Sequence, residues 1–224
     1  MRKLKVLTNN LRDFYIEQYP INQFFSFDIS PYLTVHQFEK GEFIFKERSH
    51  PQFLYYMVEG KAKLYVTHKN GKVSLIDFIT SPCFMGEIEL LDSERVSKGI
   101  QTVTKTICLA IPFQHCRKIL LTDVIFLREL CMFLSDKEMK VTAKYTQNQV
   151  YPLENRLAAF ILLSSDQVFY KEKHTEISEF LGVSYRHLLH TLAAFCEAGI
   201  LVKQNRGYVI QDKDKLLALS EEIL

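Results

Sequence analysis

Ser184, Tyr185, Arg186 and His190 are side chains whose type and spacing suit recognition chemistry. They belong to the stretch HTEISEFLGVSYRHLLHTLAAFC, residues 174–196 of a 224-residue chain, which reads as two short helices joined by a tight turn. Thr175 is placed to cap the first helix, and Ile177, Phe180 and Leu181 give it an apolar face. Gly182 supplies the turn, since a left-handed backbone costs glycine almost nothing. Ser184 caps the second helix, and Leu188, Leu189, Leu192, Phe195 and Cys196 recur on its inner side. Tyr185, Arg186 and His190 are left pointing outward. A helix whose polar N-terminal end stands on a helix–turn platform is built to enter a DNA major groove. An arginine there can donate two hydrogen bonds to guanine O6 and N7, worth roughly 1–3 kcal/mol of discrimination. The same pattern suits a solvated helix on a bundle, so the context has to decide. Downstream, ILVKQNRGYVI reads as a β-hairpin turning at Asn205-Arg206-Gly207, which is a wing carrying Lys203 and Arg206.

Other chemistries find less support. A cupin-like metal enzyme needs several histidines and a carboxylate converging, commonly from an H-x-H pair, and the sequence has no such pair. His36, His50, His68 and His115 are scattered, and an enzyme would leave the winged C-terminal part unexplained. The five cysteines (83, 108, 116, 131 and 196) are odd in number and form no CxxC, which suggests a reducing cytoplasm. A module acting through protein contacts alone would have no use for Arg186 or the wing. No apolar run approaches the roughly 18 residues of a membrane span, and MRKLKVLTNN lacks a signal-peptide core. Net charge is only +2, and residues 153–224 hold 8 basic against 10 acidic residues. That weighs mildly against a nucleic-acid partner. Placement offsets it: Arg186, His187, His190, Lys203 and Arg206 lie in or beside the motif, whereas Asp212, Asp214, Glu221 and Glu222 lie in the tail.

These side chains need elements to hold them. Residues 1–30 read as short helical pieces covering one end of a β domain. From Tyr32 to Pro112, runs of Val, Ile, Phe and Tyr alternate with turns at Lys40-Gly41, Glu59-Gly60 and Asn70-Gly71. Residues 54–78 predict three consecutive strands, the last two joined by an Asn-Gly hairpin. Many short strands at this spacing argue for a double-sheet roll or barrel. Residues 113–121 predict one short helix. Thr122 or Asp123 then caps a long one reaching about Asn148. Leu127, Leu130, Leu134 and Val141 form its apolar seam, widened by Phe126 and Phe133 and broken by Lys137 and Lys144. The seam needs a partner: the same helix of a second subunit, which we favour, or the β domain itself. Pro152 opens a further helix with core-like Leu157, Phe160, Ile161 and Leu163.

The order is β-roll, long helix, winged helix–turn–helix, and here the chain resembles the Crp/Fnr (catabolite-activator) superfamily of bacterial transcription regulators over nearly its whole length. VSLIDF, PCFMGEIEL, TQNQ, NRLAAFILLS and EKHTEISEFLGVSYRHLLHTLAAF are similar to the YeiL-type branch. The resemblance implies an α+β fold: an N-terminal double-stranded β-helix (a cyclic-nucleotide-binding-like jelly roll) over 1–121, a dimerisation helix over 122–149, and a C-terminal winged helix-turn-helix over 150–224. It implies a cytoplasmic homodimer reading a two-fold DNA site, with no membrane role, and RNA polymerase as second partner if it activates. By the same resemblance Tyr185, Arg186 and His190 take base-reading positions and Ser184 a phosphate-contacting one. Lys203 and Arg206 are candidate phosphate contacts. His187 stands where relatives often carry an acidic residue, so the preferred DNA sequence is not inherited.

In members that bind cyclic nucleotides, a glycine turn and short helix cradle the phosphate. A glutamate there holds the ribose, and an Arg-Ser pair closes on the phosphate. Gly86 and Glu87 match the start of that pattern. Glu89 stands where a small residue is preferred, Arg95-Val96-Ser97 replaces the pair, and Lys98 takes the arginine position by alignment from the downstream strand. Lysine lacks the bidentate fork. Gly86, Glu87, Arg95, Ser97 and Lys98 are therefore the candidate effector pocket, and cyclic AMP is not the expected occupant. The N-terminal cysteine cluster of oxygen-sensing relatives is missing too, since no cysteine precedes Cys83, so an iron–sulfur cluster of that kind is not expected.

Overall fold

The structure is a computed structural model describing residues 5–6, 9–71, 73–165, 168–205, 207–221 and 223. The chain divides into two compact units: Met1–Val66 with Asp77–Lys137, and Thr67–Ile76 with Glu138–Leu224.

In order, the elements as far as residue 120 are β1 (Lys5–Val6), α1 (Asn9–Gln18), β2 (Thr34–Phe38), β3 (Phe43–Phe45), β4 (Phe53–Glu59), β5 (Lys61–Thr67), β6 (Val73–Thr80), β7 (Cys83–Met85), α2 (Glu87–Leu91), β8 (Gly99–Thr102), β9 (Thr106–Pro112) and α3 (Phe113–Leu120). Two single 3-10 turns, at Ile21–Phe24 and Ser30–Tyr32, complete the helical pieces of the N-terminal segment. The strands form two sheets, ordered β1-β2-β9-β4-β7 and β3-β8-β5-β6. This is the double-sheet roll, with the expected β4-β5-β6 succession. Strand β1 adds an edge that the sequence reading did not contain; it pairs Lys5 with Gln37 and Val6 with His36.

The central strands β4 and β9 are apolar on both faces, because each face meets a different core. Leu54, Tyr56 and Val58 with Ile107, Leu109 and Ile111 join the cluster shared with Tyr15, Ile21, Phe25, Cys116 and Leu120. Tyr55 and Met57, paired with Ala110 and Cys108, point the other way, into the roll with Phe38, Phe45, Met85 and Ile100. Within that interior His36 is nearly buried. Its two ring nitrogens meet the Tyr55 hydroxyl at 2.9 Å and Thr34 Oγ1 at 3.0 Å, and burial pushes its pKa down to about 4.

The long helix α4 (Val124–Val150) follows. Asp123 caps it: Oδ1 accepts from the Ile125 and Phe126 N–H groups at 3.0 and 3.3 Å, and Oδ2 accepts from Ser26 N–H at 2.8 Å. Thr122 instead turns its hydroxyl back onto the carbonyls of Lys118 and Ile119. The sequence-derived seam divides between two roles. Phe126 and Leu130 are buried in the β-domain core, with Phe133 and Leu134 packed against it, and Phe25 stacks on Phe126 at 5.1 Å. Leu127 is half-buried and Val141 exposed. The part of the seam expected to face a second subunit is therefore largely taken up by the β domain of its own chain. A neighbouring stripe stays bare: Ile125, Met132 and Met139, seven residues apart, are 46%, 53% and 71% exposed.

The C-terminal elements are α5 (Leu153–Ser164), β10 (Phe169–Tyr170), α6 (His174–Phe180), α7 (Tyr185–Glu197), β11 (Leu201–Gln204), β12 (Gly207–Ile210) and α8 (Lys213–Ser220). Helix α5 is apolar nearly all round because it is the centre of this small core, with Leu157, Ala158, Phe160 and Ile161 all buried. The sheet runs β10-β12-β11. No helix among the described residues is long and apolar enough to cross a membrane.

Candidate nucleic-acid interface and effector pocket

The turn between α6 and α7 forms as its residues dictate. Gly182 takes φ +65°, and Val183 N–H returns to Ser178 O at 2.9 Å. Ser184 Oγ accepts from His187 N–H at 3.2 Å, so the cap opens α7 where the sequence placed it. The first cap is different: α6 starts at His174 with Lys173 at its cap position, and Thr175 lies one residue inside the helix. Along α7, Leu188, Thr191, Leu192 and Phe195 are buried. Tyr185, Arg186, His187 and His190 are exposed. Leu189, expected on the inner face, is 37% exposed, and Cys196 is half-buried. At about 100° per residue, 188, 192 and 195 define one stripe and 189 falls outside it, about midway between 192 and 186.

Strands β11 and β12 form the wing hairpin, with Lys203 opposite Tyr208 and Asn205 turning at φ +48°. Lys203 is exposed; Arg206 lies outside the described residues.

Two further residues complete this head, and neither stood out as functional in the sequence. Arg156 of α5 clamps its neighbours. Nε donates to Tyr151 O at 3.0 Å, and Nη1 donates to Asn148 Oδ1 at 3.2 Å and to Leu181 O at 2.5 Å. It thereby ties the end of α4 to the turn of the motif. A lone arginine inside the apolar run NRLAAFILL was the available signal. His174 is the second. Its ring lies 6.3 Å from Tyr185 and 5.9 Å from Tyr208, which places it between α7 and the β11–β12 hairpin. Burial, reinforced by Lys203, lowers its pKa.

In the sensor unit, Gly86 has φ +93°, and a Cβ there would meet Phe53 O at 2.9 Å and the Phe45 ring at 3.1 Å. Only glycine fits. Glu87 follows, its side chain 6% exposed, with Oε1 2.5 Å from Lys137 Nζ. That ammonium also sits 4.8 Å from the Phe133 ring centroid. Glu89 is half-buried, and burial pushes its carboxyl up. The other candidates are committed elsewhere. The Arg95 guanidinium pairs with Asp92 at 3.1 Å on the surface. Ser97 is buried, and its hydroxyl donates to the carbonyls of Lys46 and Ser49, at 2.8 and 3.1 Å. Lys98 is exposed. Next to it, Gly99 lies against Tyr65 so closely that a Cβ would collide with the ring. Among the described residues no three His, Cys, Asp or Glu side chains gather as a metal site.

A cyclic-nucleotide-binding-type roll and a Crp-like helix–turn–helix in one chain define a transcription regulator. The family model "Cyclic nucleotide-binding domain" matches residues 35–123, and the model "Crp-like helix-turn-helix domain" matches 155–219. Among solved structures, a putative Crp/Fnr-family transcriptional regulator from Eubacterium rectale agrees in fold with a TM-score of 0.68. It is 16% identical, over 96% of this chain and 95% of that one. A CRP-family transcriptional regulator from Thermus thermophilus gives a TM-score of 0.62 at 17% identity, over 83% and 96%. The chain belongs to the Crp/Fnr family of transcription regulators and is not an enzyme. Within that family it is similar to the regulatory protein YeiL of Escherichia coli O157:H7, with 46% identity over 196 residues, 88% of this chain and 90% of that protein.

Proposed function

We infer that two copies of this chain pair through α4 and read a two-fold DNA site, under the control of a signal other than cyclic AMP. The observation that carries the DNA reading is the exposed end of α7, where Tyr185, Arg186 and His190 stand free of the core on a capped helix. Arg186 reads guanine through its two-pronged guanidinium, Tyr185 and His190 flank it, and Ser184 and Lys203 contact phosphates. Arg206 belongs with Lys203 by its place in the sequence. The bare Ile125, Met132 and Met139 stripe supports pairing, since residues seven apart on a helix make a self-complementary seam. Phe126, Leu130, Phe133 and Leu134 then have a second task, linking the roll to the pairing helix. The domain division follows the same lines: sensor through residue 121, pairing helix over 122–149, DNA reader from 150. Such a regulator works in the cytoplasm, and activation would bring RNA polymerase as a further partner. The commitments of Ser97 and Arg95 favour a signal other than a cyclic phosphate. The test is selection from a random DNA pool. The wild-type chain should enrich a palindrome with half-sites about one helical turn apart. Arg186→Ala should lose about 1–3 kcal/mol of preference at one base pair per half-site while remaining folded. Identical enrichment by both proteins overturns the assignment.

A further inference from the structure

We propose that a cleft on the sensor unit, built around Arg117, binds a small anionic metabolite carrying hydroxyl or amino groups. The inference deepens the reading of the chain as a signal-controlled regulator by giving the signal an entry point. The cleft has a volume of about 310 Å³, and His50, Gln52, Glu89, Gln114 and Arg117 are among the residues lining it, with Phe113. Of the five positions matched to the family's nucleotide site, only Arg95 touches it, and that side chain is paired with Asp92.

Arg117 is held rigidly. Its Nε donates to Leu90 O at 3.0 Å, Nη2 donates to Leu90 O at 2.8 Å and also to Glu89 O, and the guanidinium carbon lies 5.3 Å from the Phe113 ring centroid. These bonds engage one edge of the guanidinium and leave Nη1 without a protein acceptor among the described residues. No carboxylate among them lies within ion-pair distance of it either. A fixed cation held by carbonyl dipoles and without an ion pair of its own among the described residues is, in a concave site, a receptor for a carboxylate or phosphate. His50, Gln52 and Gln114 add polar groups to the same wall. Glu89 supplies the selectivity. An ionised carboxylate only accepts hydrogen bonds, so a bare inorganic anion meets repulsion there, whereas a hydroxyl or amine hydrogen meets an acceptor. The volume lies at the low end for ligand pockets, which fits a compact metabolite.

The position also gives such a ligand leverage. Arg117 holds the carbonyls of Glu89 and Leu90 in α2, and Glu87 of the same helix is ion-paired with Lys137 of α4. An anion on Nη1 shares one guanidinium with those carbonyls, so its binding is coupled to the placement of α2, which a ligand-driven shift requires.

The experiment is thermal unfolding of the full chain without DNA, using D-ribose 5-phosphate and L-malate as probes and sodium sulfate at matched ionic strength as the anion-only control. At about 10 mM, about 100-fold above a dissociation constant of about 0.1 mM, at least one probe should raise the midpoint by roughly 5 °C and sulfate by less than about 1 °C. Arg117→Gln should abolish the rise. Because Arg117 also supports α2, Ser93→Trp serves as a second variant; Ser93 is exposed and also lines the cleft, so the larger ring fills it, leaves Arg117 untouched, and should abolish the rise as well. No rise with either probe, an equal rise with sulfate, or a rise that survives Ser93→Trp overturns the proposal. A gel shift on the same samples separates the two readings: retarded DNA without a probe effect removes only the cleft, and a probe effect without retarded DNA removes only the DNA reading.

Discussion

Replacing Lys137 by methionine isolates the link between α2 and α4. The ammonium stands 2.5 Å from a Glu87 carboxylate that is 6% exposed, while Lys137 itself is 38% exposed. Breaking a fully buried pair costs about 3–5 kcal/mol, mostly because the remaining charge is stranded. An exposed pair is worth about 0–1 kcal/mol. With one partner nearly buried and the other wetted, the loss should fall between those limits, at about 2 kcal/mol. Methionine keeps an unbranched stem beside Phe133, so little of that loss comes from packing. The cation–ring contact adds about 0.5–1 kcal/mol at most. The companion variant Glu87→Leu and the double variant complete a cycle. In the double variant no charge is stranded, so it should be less destabilised than the sum of the singles by about 1.5–2 kcal/mol. Urea unfolding followed by circular dichroism suits a chain without tryptophan. A coupling below about 0.5 kcal/mol would refute the reasoning. The pair would then behave as a surface contact, and α2 would need some other hold on α4.

Two more expectations concern the long helix. Asp123→Ala should cost about 1–2 kcal/mol, because the carboxylate takes three backbone N–H bonds. Burial alone would raise this carboxyl, but the N–H bonds from Ser26, Phe126 and Ile125 outweigh it and hold the pKa below the ordinary aspartate value. A carboxyl lowered by folding contributes fully above its unfolded pKa of about 4 and loses that contribution as pH falls through its folded value. The gap between wild type and Asp123→Ala should therefore close in acid, and a gap constant from pH 7 to pH 2 would count against the cap. Met139→Glu puts charge on the bare stripe of α4 and should split the proposed dimer with less than about 0.5 kcal/mol effect on the folded subunit. Light scattering behind a sizing column reads this directly, and an unchanged mass would move the pairing surface elsewhere.

How far the sequence could be read follows from how local each determinant is. Gly182 and Ser184 act within three residues of themselves, so the turn and the α7 cap were legible. Asn-Gly at 70–71 and Pro152 are equally local. The helix seam was not, because its period is visible while its partner is not. Phe126 and Leu130 read as a coiled-coil stripe, and nothing within one helix says that Phe25 and the outer face of β4 and β9 arrive first. Leu189 failed for a related reason: α7 buries a stripe too narrow to hold it, and an exposed leucine costs little where a ligand is meant to approach. The sensor residues were the least legible. Ser97 and Arg95 match a motif by type, but their partners, Lys46, Ser49 and Asp92, come from the local loops. Arg117 carries no signal in the sequence, because a single arginine in a short helix has no pattern; only the tertiary fold turns it toward α2.

The sensor gains coherence when its departures are taken together. Gly86 keeps its left-handed backbone at the start of α2 because Phe53 and Phe45 leave no room for a side chain. The frame is thus retained for packing whether or not a nucleotide is bound. What the frame would offer a cyclic nucleotide is met from within the chain. Glu87 has a cation in Lys137, Ser97 donates to its own loop, and Tyr65 lies over Gly99. By the proposed reading, a ligand engaging Glu87 would have to break an ion pair holding a nearly buried carboxylate. The same α2 presents its far end to Arg117, whose remaining N–H edge has no protein acceptor among the described residues. A signal arriving on that side meets a helix already joined to α4 through Glu87 and Lys137. It therefore needs only to shift an existing link, a smaller task than rebuilding the pocket.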